Sequence, residues 1–437
     1  MGKGSARRRA GFLAFTSSWM MILGASALIS PFAQAQQFSV IYAFSSSDGL
    51  NAGASIARDA LGNLYGASTS STQQCNGQSC GAIYKINASG QLMTLHTFQG
   101  PPDGISPNAV INVPGFSITN PGTLYGTTQF GGTSTYQPCG NGCGTVFKIT
   151  SSGQETVLHS FTAPPNDGIE PAAGVIAVPG PTPGSGEVLY GTTYYGGPYS
   201  QNGNPGEGTI FKIANGTETV LYDFTGHADG ALPFAPLLYR EGVLYGTTVF
   251  GGSGSCVTTF GTGCGVVYKL EGTQETVLHS FNNEADGGFP AAGVIADSAG
   301  NLYGTAVLGG NLNCSVSSPP PGCGVVFKVS PSGQQTVLYT FNDGADGAWP
   351  SAALVMDSAG NLYGTAVFGG NLSCASGQGC GTVFKIDTSG HFSVLHTFGG
   401  TDGAYPLGLT IDGQGVLYGV ASQGGPSGRG VVYRLAP

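Results

Sequence analysis

One phrase recurs seven times along this 437-residue chain and constrains its fold more than any other feature: Leu64-Tyr65-Gly66, Leu124-Tyr125-Gly126, Leu189-Tyr190-Gly191, Leu244-Tyr245-Gly246, Leu302-Tyr303-Gly304, Leu362-Tyr363-Gly364 and Leu417-Tyr418-Gly419. The copies lie 55 to 65 residues apart. Such self-similarity marks a repeat architecture in which each copy is one supersecondary unit.

The fifth unit shows what is repeated. An apolar run, Pro290 to Asp297, turns at Ser298-Ala299-Gly300 into Asn301-Leu302-Tyr303-Gly304-Thr305. A long loop bearing Gly and Cys follows, then Gly324-Val325-Val326-Phe327-Lys328-Val329, a turn at Pro331-Ser332-Gly333, and Gln335 to Phe341. Four short segments rich in β-branched and aromatic residues, each bounded by turn formers, read as a four-stranded meander. Meanders repeated at this length predict an all-β, seven-bladed β-propeller. The ends argue for a closed ring. Phe38 to Phe44 matches the fourth strand of a unit, as in Thr156 to Phe161, whereas Val431 to Leu435 matches the third. The last unit therefore lacks its outer strand and the N-terminal segment carries a spare copy. Pairing the two removes the exposed edge.

Units of the form Leu-Tyr-Gly-Thr-Thr-x-x-Gly-Gly…Gly-x-Val-Phe-Lys-Ile, seven of them across residues 36–437, resemble the GloVer tandem-repeat proteins of bacteria. That resemblance implies export and, in many members, a C-terminal sorting anchor, which this chain does not show. It brings no established activity.

Residues 1–35 read as a signal peptide. Lys3, Arg7, Arg8 and Arg9 precede an apolar or small stretch from Gly11 to Ser30, and Ala33-Gln34-Ala35 fits a small-x-small cleavage site, which favours removal over an uncleaved anchor. Four of the 14 basic residues fall there, so the remaining ten face 23 acids and leave a net charge of −13 on residues 36–437. Such a balance has no electrostatic footprint for nucleic acid. No second apolar span follows, so the expectation is a monomeric exported protein, periplasmic or extracellular. Ten cysteines fall as five close pairs at one place in the repeat: Cys75/Cys80, Cys139/Cys143, Cys256/Cys264, Cys314/Cys323 and Cys374/Cys380. In an exported chain these predict local disulfides; zinc is the rival, but the spacings vary and no His lies inside these loops.

Several residues look functional until they are counted. His96, His159, His279 and His396 share an outer-strand position with Tyr42, Tyr222 and Tyr339, an interchange that favours packing over acid–base work. Lys85, Lys148, Lys212, Lys269, Lys328, Lys385 and Arg434 fill one third-strand position, where their stems cover apolar surface. Asp48, Asp103, Asp167, Asp229, Asp286, Asp346 and Asp402 each precede Gly, ordinary turn chemistry. No cofactor or metal is expected. Calcium at the Asp ring would be the exception, and it needs several oxygens converging on one ion.

Function belongs where the copies disagree. In the motif Asp-Gly-x-X-Pro, X leads into the innermost strand and should ring the channel mouth on the long-loop face. It reads Asn51 (followed by Ala52 in place of Pro), Ser106, Glu170, Leu232, Phe289, Trp349 and Tyr405. An aromatic arc of Phe289, Trp349 and Tyr405 facing a polar arc of Asn51, Ser106 and Glu170 suits a carbohydrate or a surface protein. A plug of the channel mouth is the plainer account of the same rings. The inner strands carry Ala, Gly, Val, Ile and Leu and offer no nucleophile elbow, metal triad or carboxylate pair. The expectation is a non-enzymatic binding or interaction module. A glycan-active hydrolase or lyase using Glu170 at the same mouth, and a purely structural envelope protein, are the alternatives.

Overall fold

The computed structural model describes residues 1–2, 37–75, 77–112, 123–180, 186–200, 205–258, 261–314 and 321–436. Residues 3–35 of the segment read as a signal peptide lie outside the described residues. Residues 36–437 group as one compact unit.

Seven four-stranded antiparallel sheets follow one another along the chain, each a meander from inner to outer strand. The phrase Leu-Tyr-Gly opens the second strand of every blade except the third and fourth, where that strand begins slightly earlier, at Glu187 and Val243. Its glycine has a steric reason. Each sits directly across from a third-strand aromatic, as Gly66 does from Tyr84, Gly304 from Phe327 and Gly419 from Tyr433. The aromatic ring lies over the glycine, and an added Cβ would fall inside that ring.

The core lies in the seams between blades. The last apolar residue of each outer strand region, Phe44, Phe98, Phe161, Phe224, Phe281, Phe341 or Phe398, is at most 1% exposed. Each meets the third-strand aromatic of the next blade edge-to-face, and all seven centroid distances fall between 5.1 and 5.3 Å. This geometry suits the ring quadrupoles and adds about 0.5–1.5 kcal/mol per pair beyond area burial. Inner strands are joined through Thr hydroxyls of the second strands. Thr127, Thr247 and Thr365 donate to the carbonyls of Ala173, Ala292 and Leu407 in the next blade at 2.8, 3.0 and 2.9 Å.

The ring closes as the repeats predict. Strand Gln37–Ala43 pairs antiparallel with Val431–Ala436, the third strand of blade 7, and becomes that blade's outer strand. All five predicted disulfides are present. The Lys ring lies over the phrase tyrosines, with the Lys85, Lys328 and Lys385 ammonium groups 5.5–5.8 Å from the Tyr65, Tyr303 and Tyr363 ring centres. Among the described residues no helix is long and apolar enough to cross a membrane.

Candidate functional site

The X position of each unit is built the same way six times. Ser106, Glu170, Leu232, Phe289, Trp349 and Tyr405 all hold φ between 55° and 57°, the left-handed region that bulky residues avoid. What holds them there is the preceding blade. The amide of each donates to the carbonyl of the residue just before the third-strand glycine: Cys80, Cys143, Glu207, Cys264, Cys323 and Cys380, at 2.8–3.0 Å. The disulfides therefore anchor the acceptor for the next blade's X residue, while Glu207 and Arg429 stand in the Cys position of blades 3 and 7.

The aromatic arc is interlocked with the residues before Gly-Gly. Phe289 meets Phe250 at 5.4 Å, and Phe368 lies between Trp349 and Tyr405 at 5.2 Å from each. The Trp349 Nε1–H donates to the Gly322 carbonyl at 3.2 Å. Leu232 and Phe289 are buried; the other five X residues are half-buried. Glu170 accepts from Gln129 Nε2 at 3.4 Å, and burial pushes its carboxyl above the usual range.

The channel wall comes from two to four positions beyond X. A cavity of about 390 Å³ is lined by all seven blades, and the residue two beyond X reads Gly53, Asn108, Ala172, Phe234, Ala291, Ser351 and Leu407 in turn. Among the described residues no acidic or basic side chain lines it. Phe234, 46% exposed, supplies the large ring in this wall. The same comparison of copies that selected X, applied two residues further on, would have found Phe234 and Leu407.

Blade 1 departs from the pattern, and a second hollow opens there. Asn51 is not among the left-handed residues, Ala52 replaces the proline, and Ala52 N donates to the Arg429 carbonyl at 3.0 Å. The hollow, about 450 Å³, is lined by Asn51, Thr69, Ser70, Ser422, Gln423 and Arg429, and it shares Gly53, Ala54, Thr69 and Leu407 with the channel. Asn51 is oriented by donors from Ser68 Oγ at 2.6 Å and Ser70 N at 3.2 Å. Of the three basic residues of residues 36–437 outside the Lys/Arg ring, Arg58 pairs with Asp412 and Arg240 donates to Asp297 and Ser298 carbonyls. Among the described residues Arg429 has no carboxylate within 4 Å.

At the rim, the His/Tyr ring and the Asp-Gly ring meet. Tyr222 and Tyr339 donate to Asp229 and Asp346 at 3.0 Å, and His396 Nε2 stands 2.9 Å from Asp402. Both side chains present a donor to the carboxylate of the following turn, which is why they interchange. The sequence reading missed the third member, the residue facing the end of the third strand: Leu92, Glu155, Glu218, Glu275, Gln335, Phe392 and Phe38. The outer strand of one blade brings this residue against the His–Asp pair of the blade before, giving His96–Asp103–Glu155 and His159–Asp167–Glu218.

Fold, repeat and disulfides define a seven-bladed tandem-repeat propeller of the exported type. The chain belongs to the Gloeobacter/Verrucomicrobia repeat family, whose model matches residues 9–260 and 257–437. No curated protein sequence matches it. Among solved structures it is similar to a catalytically inactive virginiamycin B lyase from Staphylococcus aureus with quinupristin, at 12% identity and TM-score 0.53, over 92% of this chain and 99% of that one. It is also similar to a gluconolactonase from Xanthomonas campestris, at 10% identity and TM-score 0.41, over 92% and 89%. At these identities the likeness is one of fold.

Proposed function

We propose that the protein is an exported binding module that takes an acidic carbohydrate at the channel mouth on the long-loop face. The observation that carries this reading is Arg429. It is a cation without a carboxylate partner among the described residues, in a hollow otherwise lined by neutral hydrogen-bonding groups, on a chain whose net charge is strongly negative. Asn51, Ser70, Ser422 and Gln423 suit sugar hydroxyls, the guanidinium suits a uronate carboxylate, and the adjoining apolar channel with Phe234 suits a sugar face. In this reading Trp349 and Tyr405, two residues before the wall positions Ser351 and Leu407, would stack against a longer chain.

A glycan array that includes uronic-acid oligosaccharides tests this. Wild type should bind acidic glycans, Arg429→Ala should lose them at least tenfold, and Trp349→Ala should weaken only longer oligosaccharides. An array with no bound glycan removes the carbohydrate reading. Turnover of any polysaccharide that Glu170→Gln abolishes would replace it with the hydrolase or lyase alternative.

A further inference from the structure

We infer that the seam between blades 2 and 3 is a binding site for one divalent transition-metal ion of the zinc class, held by His159, Asp167 and Glu218. His159 comes from the outer strand Glu155–Ser160, Asp167 from the turn that leaves it, and Glu218 from the outer strand Thr217–Asp223 of the next blade. One ligand atom from each lies within 4.8 Å of the other two.

Three buried polar atoms stand here without a hydrogen-bond partner: His159 Nε2, Asp167 Oδ1 and Glu218 Oε1. Asp167 is only 6% exposed. Buried polar atoms are normally satisfied, and an orphan on each member of one three-residue cluster calls for a shared partner. Thr162 fixes the orientation of Asp167 by donating its amide and hydroxyl to Oδ2, at 2.9 and 3.0 Å, and so leaves Oδ1 free. His159 Nε2 lies 3.4 Å from Asp167 Oδ2, long for a hydrogen bond, which leaves the imidazole nitrogen open to another partner. One imidazole and two carboxylates form a borderline N,O set that suits zinc better than calcium, with water in the fourth place.

The other seams show what the site requires. In His96–Asp103–Glu155 the Asp103 oxygens are already used, by Gln99 N at 2.9 Å and Gly104 N at 2.7 Å. In the next seam along, Tyr222 replaces His and removes the nitrogen ligand.

Isothermal titration of zinc into EDTA-treated, untagged protein tests the assignment, with Mn²⁺ and Ca²⁺ as further arms. One equivalent of Zn²⁺ should bind and raise the melting temperature, Ca²⁺ should do neither, and His159→Gln and Glu218→Gln should each weaken binding at least tenfold. His96→Gln should retain the full equivalent. Absence of zinc binding at 100-fold excess over protein, or affinity unchanged in folded Glu218→Gln, overturns it.

Discussion

The seam between blades 2 and 3 and the seam between blades 6 and 7 use the same positions for opposite ends. Both begin with a His–Asp pair. At the first, Glu218 completes a cluster with three unpartnered buried atoms. At the second, Phe38 takes the Glu place and stacks flat on His396, 3.7 Å between centroids, while His396 keeps a 2.9 Å contact with Asp402. Tyr339 and Phe392 repeat the stacked solution at 3.6 Å. One residue of the outer strand thus decides whether a seam is sealed by apolar contact or left polar. The Phe–aromatic packing beneath it is the same in all seven, so the scaffold tolerates either choice.

The comparison can be broken at several scales. Deleting residues 37–43 removes the Phe38 seal and the closing strand together. The expected outcome is loss of cooperative unfolding and aggregation through the Val431–Ala436 edge, read by calorimetry and light scattering. A monomeric protein with a sharp transition would show that the ring does not depend on closure. Phe38→Ala is milder: a half-buried ring is lost, and chemical denaturation should report about 2–3 kcal/mol, whereas Glu218→Ala in zinc-free protein should cost less than half as much. Removing the disulfide next to the polar seam, in Cys139→Ser/Cys143→Ser, should lower stability by about 2 kcal/mol and leave the fold intact by circular dichroism, because the closed loop is short.

The smallest expected effect is one of pH. In the seam between blades 3 and 4, burial and the neighbouring Asp229 push Glu275 up to about 7, from 4.5. The folded state therefore holds a proton that the unfolded state releases. Stability from this group is fully present below about 4.5 and is lost as pH rises through about 7. Melting temperature in EDTA should fall between pH 5 and 7.5, and Glu275→Gln should flatten part of that slope. The seam at Phe38 puts an aromatic ring in the place of the Glu and so has no counterpart of this effect.

The architecture was legible because it is written seven times. Blade number, strand order, closure and disulfide pairing all follow from comparing copies, and the Leu-Tyr-Gly glycine only awaited its reason, the aromatic ring across the strand pair. The site was legible in part. Placing X at the mouth rested on counting along a regular strand. The left-handed turn at X, imposed by the preceding blade's carbonyl, carries the chain forward so that residues two to four positions later face the channel. The rim clusters were hidden for a different reason. His159 and Glu218 are 59 residues apart on strands of different blades, and only the contact between successive outer strands joins them. Counting within each ring gave His and Asp separate architectural readings and passed over Glu, and chemistry appears only when rings from neighbouring blades meet.

Closure by the N-terminal strand also governs when this molecule can come into being. Six blades are assembled from contiguous chain, but the seventh needs a partner made about 390 residues earlier. Contacts of that separation carry the slowest part of a folding reaction, because the whole intervening chain must be looped before they form. Until the last strand arrives, Phe38 and Tyr42 remain an unpaired, aromatic-rich segment beside an unfinished ring. An exported chain of this design is therefore most exposed to proteases and to a neighbour's open edge just before strand Val431–Ala436 crosses, and a chaperone that shields one short strand would protect the whole ring.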